Sequence, residues 1–413
     1  MMNLKWLKNV KLEVGNQLNE DGLIETKTDL FHIGIKEGKI MERLHHTESI
    51  SEQAEVIDAN GLLAIPTFKE MHNHLDKTYL SLDWKACKPV KNLNERLHFE
   101  AQELKELAPT AKQRAMSMIE MILSKGSTHI RTHVNIDPYI GLKNLEGVLE
   151  ALEEFKGVIT ADVIAFPQHG LLRDDVPQLM RKAMRNGATM VGGLDPAGID
   201  RSIEKSLYET MEIAAEFNAD VDIHLHDGGN VGTYTIDKWM DYVEEANWQN
   251  RSAISHAFCI GEVPEAQQRA LAERLRENGV SIMSTIPLTK SLPPIELLDA
   301  HGVDVHFGCD GFYDSWSPHG NGDVLEKVQK YAQISRRIDE VSLRSTLKWA
   351  TGGVTALTNK GEYLWPKAED KANFIFIEAA SSAEAVARRP DRKAIMINGE
   401  IVYGTLSKLE YTV

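Results

Sequence analysis

The chain has 413 residues, enough for a large core and more than one domain. Its composition, 42% hydrophobic and 26% charged, is that of an ordinary soluble globular protein. Lys and Arg number 46 against 61 Asp and Glu, and the resulting formal charge of −15 argues against a nucleic-acid polyanion as the main partner, though not against a local basic site for a small anion.

The opening stretch MMNLKWLKNVKLEVGNQ has no apolar h-region and no small-residue cleavage site, so a signal peptide is not expected. No stretch approaches the apolar length of a membrane span. Cys87, Cys259 and Cys309 lack CxxC spacing, which fits neither a disulfide framework nor a zinc ribbon. The expectation is a reduced, cytoplasmic protein. Residues 1–61 read as short strands and turns, and FHIGIKEGKIMERL alternates around Gly38 as a hairpin does.

From about residue 62, β-branched runs alternate with segments of helical period. The runs are LLAIPTF, THIRTHVNI, VITADVIAFPQ, ATMVGGLDP, ADVDIHLH, SAISHAF, VSIMSTIP and VDVHFGCD. Between them, TAKQRAMSMIEMILSKG opens with a Thr110-x-x-Gln113 capping box, and Ile203, Leu207, Met211 and Ala214 share one helical face. Eight such units predict a (β/α)₈ barrel of the TIM type over residues 62–360. A doubly wound sheet would carry a glycine-rich phosphate loop after its first strand, and this first strand ends in MHNHLDK. After Gly352-Gly353 strands return, with Asn398-Gly399 as a hairpin signal. Residues 1–61 and 361–413 are expected to form one small β-sandwich built from both chain termini.

Catalytic groups of such barrels sit at the C-terminal ends of the strands. Those ends supply His72 and His74, Arg131 and His133, Gln168 and His169, Asp195, His224, His226 and Asp227, His256, and Asp310. Side chains two apart on a strand share a face, so His72 and His74 can point together at one cation. A third imidazole from strand 5 and a carboxylate from strand 8 would complete a set suited to zinc or iron(II). HxH alone is a weak sign; with His224, His256 and Asp310 at matching ends it becomes a strong one. His224 and His226 have the same parity, so either could be the strand-5 ligand. His133 reads as a supporting histidine, Arg131 as a partner for an acid, and Cys309 as core packing. Lys77 is read equally as a substrate contact and as a solvated loop residue.

The pieces HNHLDKT, IRTHVNI, VIAFPQHGLL, VDIHLHD, AISHA and FGCDGFYDSWSPHG resemble, in order, the barrel of the amidohydrolase superfamily and its cytosine deaminase-like branch. The resemblance implies that His72, His74, His224 and Asp310 are the metal ligands. It implies that His256 orients the attacking water, that Gln168 hydrogen-bonds the substrate ring and that Trp316 lines the pocket. MVGGLDP has no lysine to bridge two ions, so one divalent metal ion, zinc or iron(II), is implied. Asp227 stands where the family has a proton-shuttling glutamate. Gly311 stands where it has a second aspartate, and the missing side chain is expected to open space. Both departures argue against cytosine as the natural substrate. Asp83, Trp84 and GGNVGTYT are expected to shape the pocket, the last as a mobile or close-approaching loop.

The activity implied is hydrolytic deamination of a small amino-substituted nitrogen heterocycle with release of ammonia. Asp310 would move the water's proton and Asp227 would protonate the ring. An amide or lactam hydrolase of the same superfamily is the alternative, and a non-catalytic barrel a third class. The partner implied is a small heterocyclic substrate, with no nucleic acid and no membrane; homo-oligomer formation stays open.

Overall fold

The computed structural model describes residues 4–50 and 55–409. The chain divides into two compact units. One comprises the residues up to Lys69, Ile122–Thr128 and those from Asp323 onward; the other comprises Glu70–Met121 and His129–Gly322. The first unit opens with β1 (Lys5–Leu18), β2 (Ile24–Lys36), β3 (Lys39–His45), β4 (Val56–Asp58) and β5 (Leu63–Ile65). β2 and β3 pair antiparallel across Glu37-Gly38, at φ +52° and +77°. Two successive left-handed residues make the turn whose twist matches its strands, so the hairpin lies where the alternation placed it. A register break between Leu7 and Val10 interrupts the pairing of β1 with β2. On its other edge β1 pairs with β4 through Trp6–Lys8 and with β5 at Lys11.

The run LLAIPTF, expected as the first barrel strand, is cut in two. Leu63–Ile65 joins the terminal sheet as β5, and the barrel strand starts at Phe68. Pro66 lies between them and has no N–H to give a ladder.

The barrel strands are β6 (Phe68–Asn73), β7 (Ser127–Asn135), β8 (Thr160–Phe166), β9 (Met190–Leu194), β10 (Asp220–Leu225), β11 (Ser252–His256), β12 (Val280–Ser284) and β13 (Val305–Phe307). They lie side by side in chain order in one eight-stranded sheet. The pairing is parallel, as from Val221↔Ser252 to Leu225↔His256. A parallel bridge between Asn73 and Asp310 joins the end of β6 to the chain just beyond β13 and closes the ring. Every residue of β9 and β11 is buried, as expected for parallel strands covered on both faces.

Helices α1 (Leu93–Leu107) and α2 (Ala111–Ser124) fill the connection from β6 to β7. α3 (Lys143–Glu154), α4 (Val176–Arg185), α5 (Ile203–Phe217), α6 (Gly229–Glu245), α7 (Glu265–Asn278) and α8 (Ile295–Ala300) follow β7 to β12 in turn. Leu207, Met211 and Ala214 of α5 are buried as its period predicts. The capping box at Thr110 does not form. The chain passes from α1 into α2 through a 3₁₀ turn, and the Thr110 hydroxyl donates to Leu107 O and accepts from Arg114 Nε.

The first unit resumes with helices from Val324 and then supplies β14 (Phe374–Ile377), β15 (Arg392–Ile397), β16 (Glu400–Gly404) and β17 (Ser407–Leu409). β14 pairs with β5 and β17 with β4, so strands from both chain ends share one nine-stranded sheet. Its core includes Leu7, Val10, Ile33, Trp365, Phe374, Phe376 and Met396. Each large apolar side chain so buried contributes about 1.5–3 kcal/mol. No helix among the described residues is long and apolar enough to cross a membrane.

Candidate metal centre and active site

His72 lies on β6 and His74 just beyond it, with rings 5.6 Å apart. The Nδ1 of His74 is 3.0 Å from His133 O. A carbonyl can only accept, so this nitrogen carries the proton and Nε2 keeps its lone pair. The Nε2 atoms of His74 and His224 face each other at 3.4 Å. Asp310 Oδ1 is 3.5 Å from His74 Nε2 and 3.7 Å from His72 Nε2. Nitrogens and oxygens of His72, His74 and Asp310 fall within 4.8 Å of one another, as do those of His72, His133 and His224. His72 Nε2 is buried without a hydrogen-bond partner, as are both ring nitrogens of His256. Orphaned lone pairs around one carboxylate are what a bound divalent cation would satisfy, so the residues fit a metal centre.

Electrostatics agree with that fit. Burial pushes His72 down to about 3, and it holds His133, His224 and His256 well below the usual imidazole range, with neighbouring imidazoles adding to the effect. Neutral imidazole is the form that coordinates. Burial alone would raise Asp310, but the imidazoles around it hold it well below the carboxylate range. His256 follows at the end of β11, its ring 4.6 Å from that of His72 and 5.1 Å from that of His224. His256 and Asp310 have φ of +71° and +66°, left-handed backbone that costs about 1–3 kcal/mol at a residue bearing a side chain. Such strain concentrates where side-chain placement matters more than stability.

On one side of this cluster lie Lys77, Gln168 and Trp316. Lys77 is buried, which removes the solvated-loop reading. Its Nζ donates to Gln168 Oε1 at 2.6 Å and sits 3.3 Å from Glu100 Oε1, which also accepts the Trp316 indole N–H at 2.7 Å. Glu100, wholly buried on α1, was not foreseen. Its segment ERLHFEAQELKE reads as a charged helix face, and only the helix's position over the barrel turns that face inward. Burial would raise its carboxyl, but Lys77 and the Trp316 hydrogen bond bring it below the ordinary value.

On another side, Asp195 at the end of β9 accepts the amides of His226 and Asp227 at 2.5 and 3.2 Å, and its other oxygen meets His226 Nδ1 at 2.9 Å. His226 is exposed, with its ring 4.3 Å from that of His256. Asp227 accepts from the amides of Ala197 and Gly198 at 3.0 and 3.3 Å. Burial, with the Asp195 carboxylate beside it, raises the Asp227 carboxyl above its ordinary value.

Two expectations about shape are corrected. The place of a side chain at Gly311 is not open space, because a Cβ there would overlap Asp314 Oδ2. The Asp314 carboxylate is anchored by the amides of Trp316 and Ser317 at 2.8 and 3.0 Å and fills that place. GGNVGTYT is not a mobile loop: from Gly229 it is the first turns of α6, and Gly232 lies against Asp227 O and Cys259 because nothing larger fits. Trp84 stacks on Tyr313 with ring centroids 5.3 Å apart, and Tyr313 also bonds the carbonyl of Asp83.

Arg131 pairs with acids as expected: Asp162 at 3.0 Å and Asp222 at 3.2 Å. His133 is fully buried and Cys309 is buried. The Ser255 hydroxyl, 2.8 Å from His72 Nδ1, was not singled out in the sequence. Strand alternation sets Ser255 and His256 on opposite faces, and the left-handed backbone at His256 breaks that alternation.

The profile of the Amidohydrolase family matches residues 55–403. The chain is 38% identical over 409 residues to the uncharacterized protein YahJ of Escherichia coli (strain K12), covering 97% of this chain and 88% of that one. The crystal structure of N-isopropylammelide isopropylaminohydrolase from Burkholderia multivorans ATCC 17616 matches with a TM-score of 0.85 and 28% identity, over 97% of this chain and 98% of that one. That of 5-methylcytosine deaminase from Klebsiella pneumoniae, liganded with 5-fluorocytosine, matches with a TM-score of 0.79 and 24% identity over 99% of each chain, and shares the fold.

Proposed function

The chain belongs to the amidohydrolase family and is a hydrolase of carbon–nitrogen bonds, and we propose that it deaminates a small amino-substituted nitrogen heterocycle. The observation that carries this reading is the convergence of the lone-pair atoms of His72, His74 and His224 with Asp310 at the ends of β6, β10 and β13. These four residues would hold one divalent ion, zinc or iron(II), whose chemistry when bound is to bring a water's pKa toward neutrality.

His256 orients that water through a ring nitrogen. Asp310 accepts the water's proton as its oxygen adds to the ring carbon bearing the amino group. Asp227 protonates the adjacent ring nitrogen, and burial with the Asp195 carboxylate beside it moves its carboxyl in the direction that suits a proton donor. Asp310 gives its proton to the departing amine, and the added hydroxyl gives its remaining proton back to Asp227 as the carbonyl forms, the ring nitrogen keeping its own. Gln168, fixed by Lys77, positions the ring, and Trp316 flanks it. The shorter arm of Asp227 argues against cytosine. The Burkholderia relative, named for N-isopropylammelide, supports a ring that bears an amino or alkylamino group.

The test is release of ammonia or alkylamine across aminated pyrimidines, pterins and triazines, with metal content measured in parallel. At least one compound is expected to turn over, and both turnover and bound metal should collapse in His74→Ala and Asp310→Ala. Full metal content and activity in those variants would overturn the reading. A ring-opened product without amine release would place the enzyme with the cyclic amide hydrolases instead.

A further inference from the structure

A line of buried polar groups crosses the barrel interior directly beneath the metal centre. Arg131 on β7 donates from Nη1 to Asp222 Oδ2 on β10 at 3.2 Å, and from Nε to Asp162 on β8 at 3.1 Å. The other oxygen of Asp222 accepts the Ser255 hydroxyl of β11 at 2.7 Å. Ser255 Oγ then lies 2.8 Å from His72 Nδ1 on β6. Asp222, Ser255 and His72 are all fully buried, so no water competes for these bonds.

The direction of each bond follows from chemistry. Asp222 turns one oxygen to the Arg131 guanidinium and accepts the Ser255 hydroxyl at the other, so Ser255 spends its one proton there. The serine oxygen can then only accept from the imidazole, which puts the His72 proton on Nδ1. Nε2, the nitrogen nearer Asp310 and without a partner, is left with its lone pair. His74 reaches the same state through the carbonyl of His133. A backbone carbonyl holds one histidine, and a side-chain chain of four strands holds the other.

We propose that Ser255 and Asp222 are positioning residues that fix the tautomer and ring orientation of His72 for metal binding, with Arg131 and Asp162 holding Asp222 in place. This rests on His72 being a metal ligand, as argued above. Outer partners of this kind set metal affinity because they orient the imidazole and raise its donor strength, and their loss costs about 10- to 100-fold in affinity.

The experiment measures zinc affinity of the full chain by competition with a chromophoric chelator, together with the visible spectrum of the cobalt-loaded protein. The proteins compared are wild type, Ser255→Ala, Ser255→Thr and His72→Ala. Ser255→Ala is expected to weaken zinc binding about 10- to 100-fold and shift the cobalt bands, with Ser255→Thr recovering most of the affinity through its hydroxyl. Wild-type affinity in Ser255→Ala, with His72→Ala clearly weakened, overturns the positioning role and leaves the metal centre standing. Equal weakness in Ser255→Ala and Ser255→Thr assigns the effect to packing and also overturns it. Wild-type affinity in His72→Ala removes the metal-centre reading itself.

Discussion

At the scale of single residues, the sharpest departure from expectation is at Gly311. Its missing side chain reads in the sequence as vacated space, yet the Asp314 carboxylate occupies that space. Gly311→Asp should therefore overpack the site, costing about 1–3 kcal/mol of stability without bringing cytosine turnover. Thermal denaturation with a cytosine assay checks both, and a stable variant that deaminates cytosine would refute the argument. Glu100 supports a second expectation. It is the buried counter-charge of Lys77 and also holds the Trp316 indole. Glu100→Gln keeps an acceptor for the indole but leaves a buried ammonium without its anion, which should cost about 3 kcal/mol. The turnover defect should fall mainly on KM, because the groups it disorders are those proposed to hold the ring, not to move protons. The cluster of candidate metal ligands was legible because its residue types are rare and its strand ends recur. Glu100 and Ser255 were not, because Glu and Ser are common and only tertiary placement makes them part of a site.

At the scale of elements, the eight barrel strands were legible as β-branched runs between helical segments, and the error at LLAIPTF came from one proline. Periodicity could not show where the sheet of the chain ends stops and the barrel starts, since β5 and the start of β6 fall in one short run of mostly apolar residues. Nor could it show how α2 supports the site. Arg114, fully buried on α2, donates from Nη1 to the carbonyls of Asp76 and Thr78, both at 2.8 Å, and from Nη2 to that of Leu107 at 3.2 Å. The loop carrying Lys77 is thus pinned on both sides of that lysine by one guanidinium. Arg114→Lys replaces a planar fork with a point donor that cannot reach these carbonyls together. We expect a loss of about 1–3 kcal/mol from the carbonyls left unpaired and faster amide exchange across residues 76–78. Unchanged exchange there would show that the loop is held by other contacts.

For the whole molecule, metal and protons are the two ligands that should move stability. Chelation of the metal should lower the unfolding temperature, because an ion bound only by the native state adds RT ln(1 + [L]/Kd), about 2.7 kcal/mol at a hundredfold excess over Kd. Protons act even away from the metal centre, and Asp137 isolates the effect. Burial pushes its carboxyl up to about 6 from 3.8, although the amides of Tyr139 and Ile140 oppose the rise with hydrogen bonds at 2.8 and 3.2 Å. Between those pH values the native state holds a proton that the unfolded chain has released. Native stability from this group is therefore complete below about pH 4 and falls as pH rises to about 6, by a total of about 3 kcal/mol. Asp137→Asn cannot ionise, and its amide oxygen can still accept both backbone N–H groups. The variant should match wild type near pH 4 and exceed it at pH 8 by up to about 3 kcal/mol. Denaturant unfolding of the metal-free proteins at pH 5 and pH 8 measures the difference. An advantage that grows toward acid would reverse the sign and show that Asp137 is held ionised in the fold.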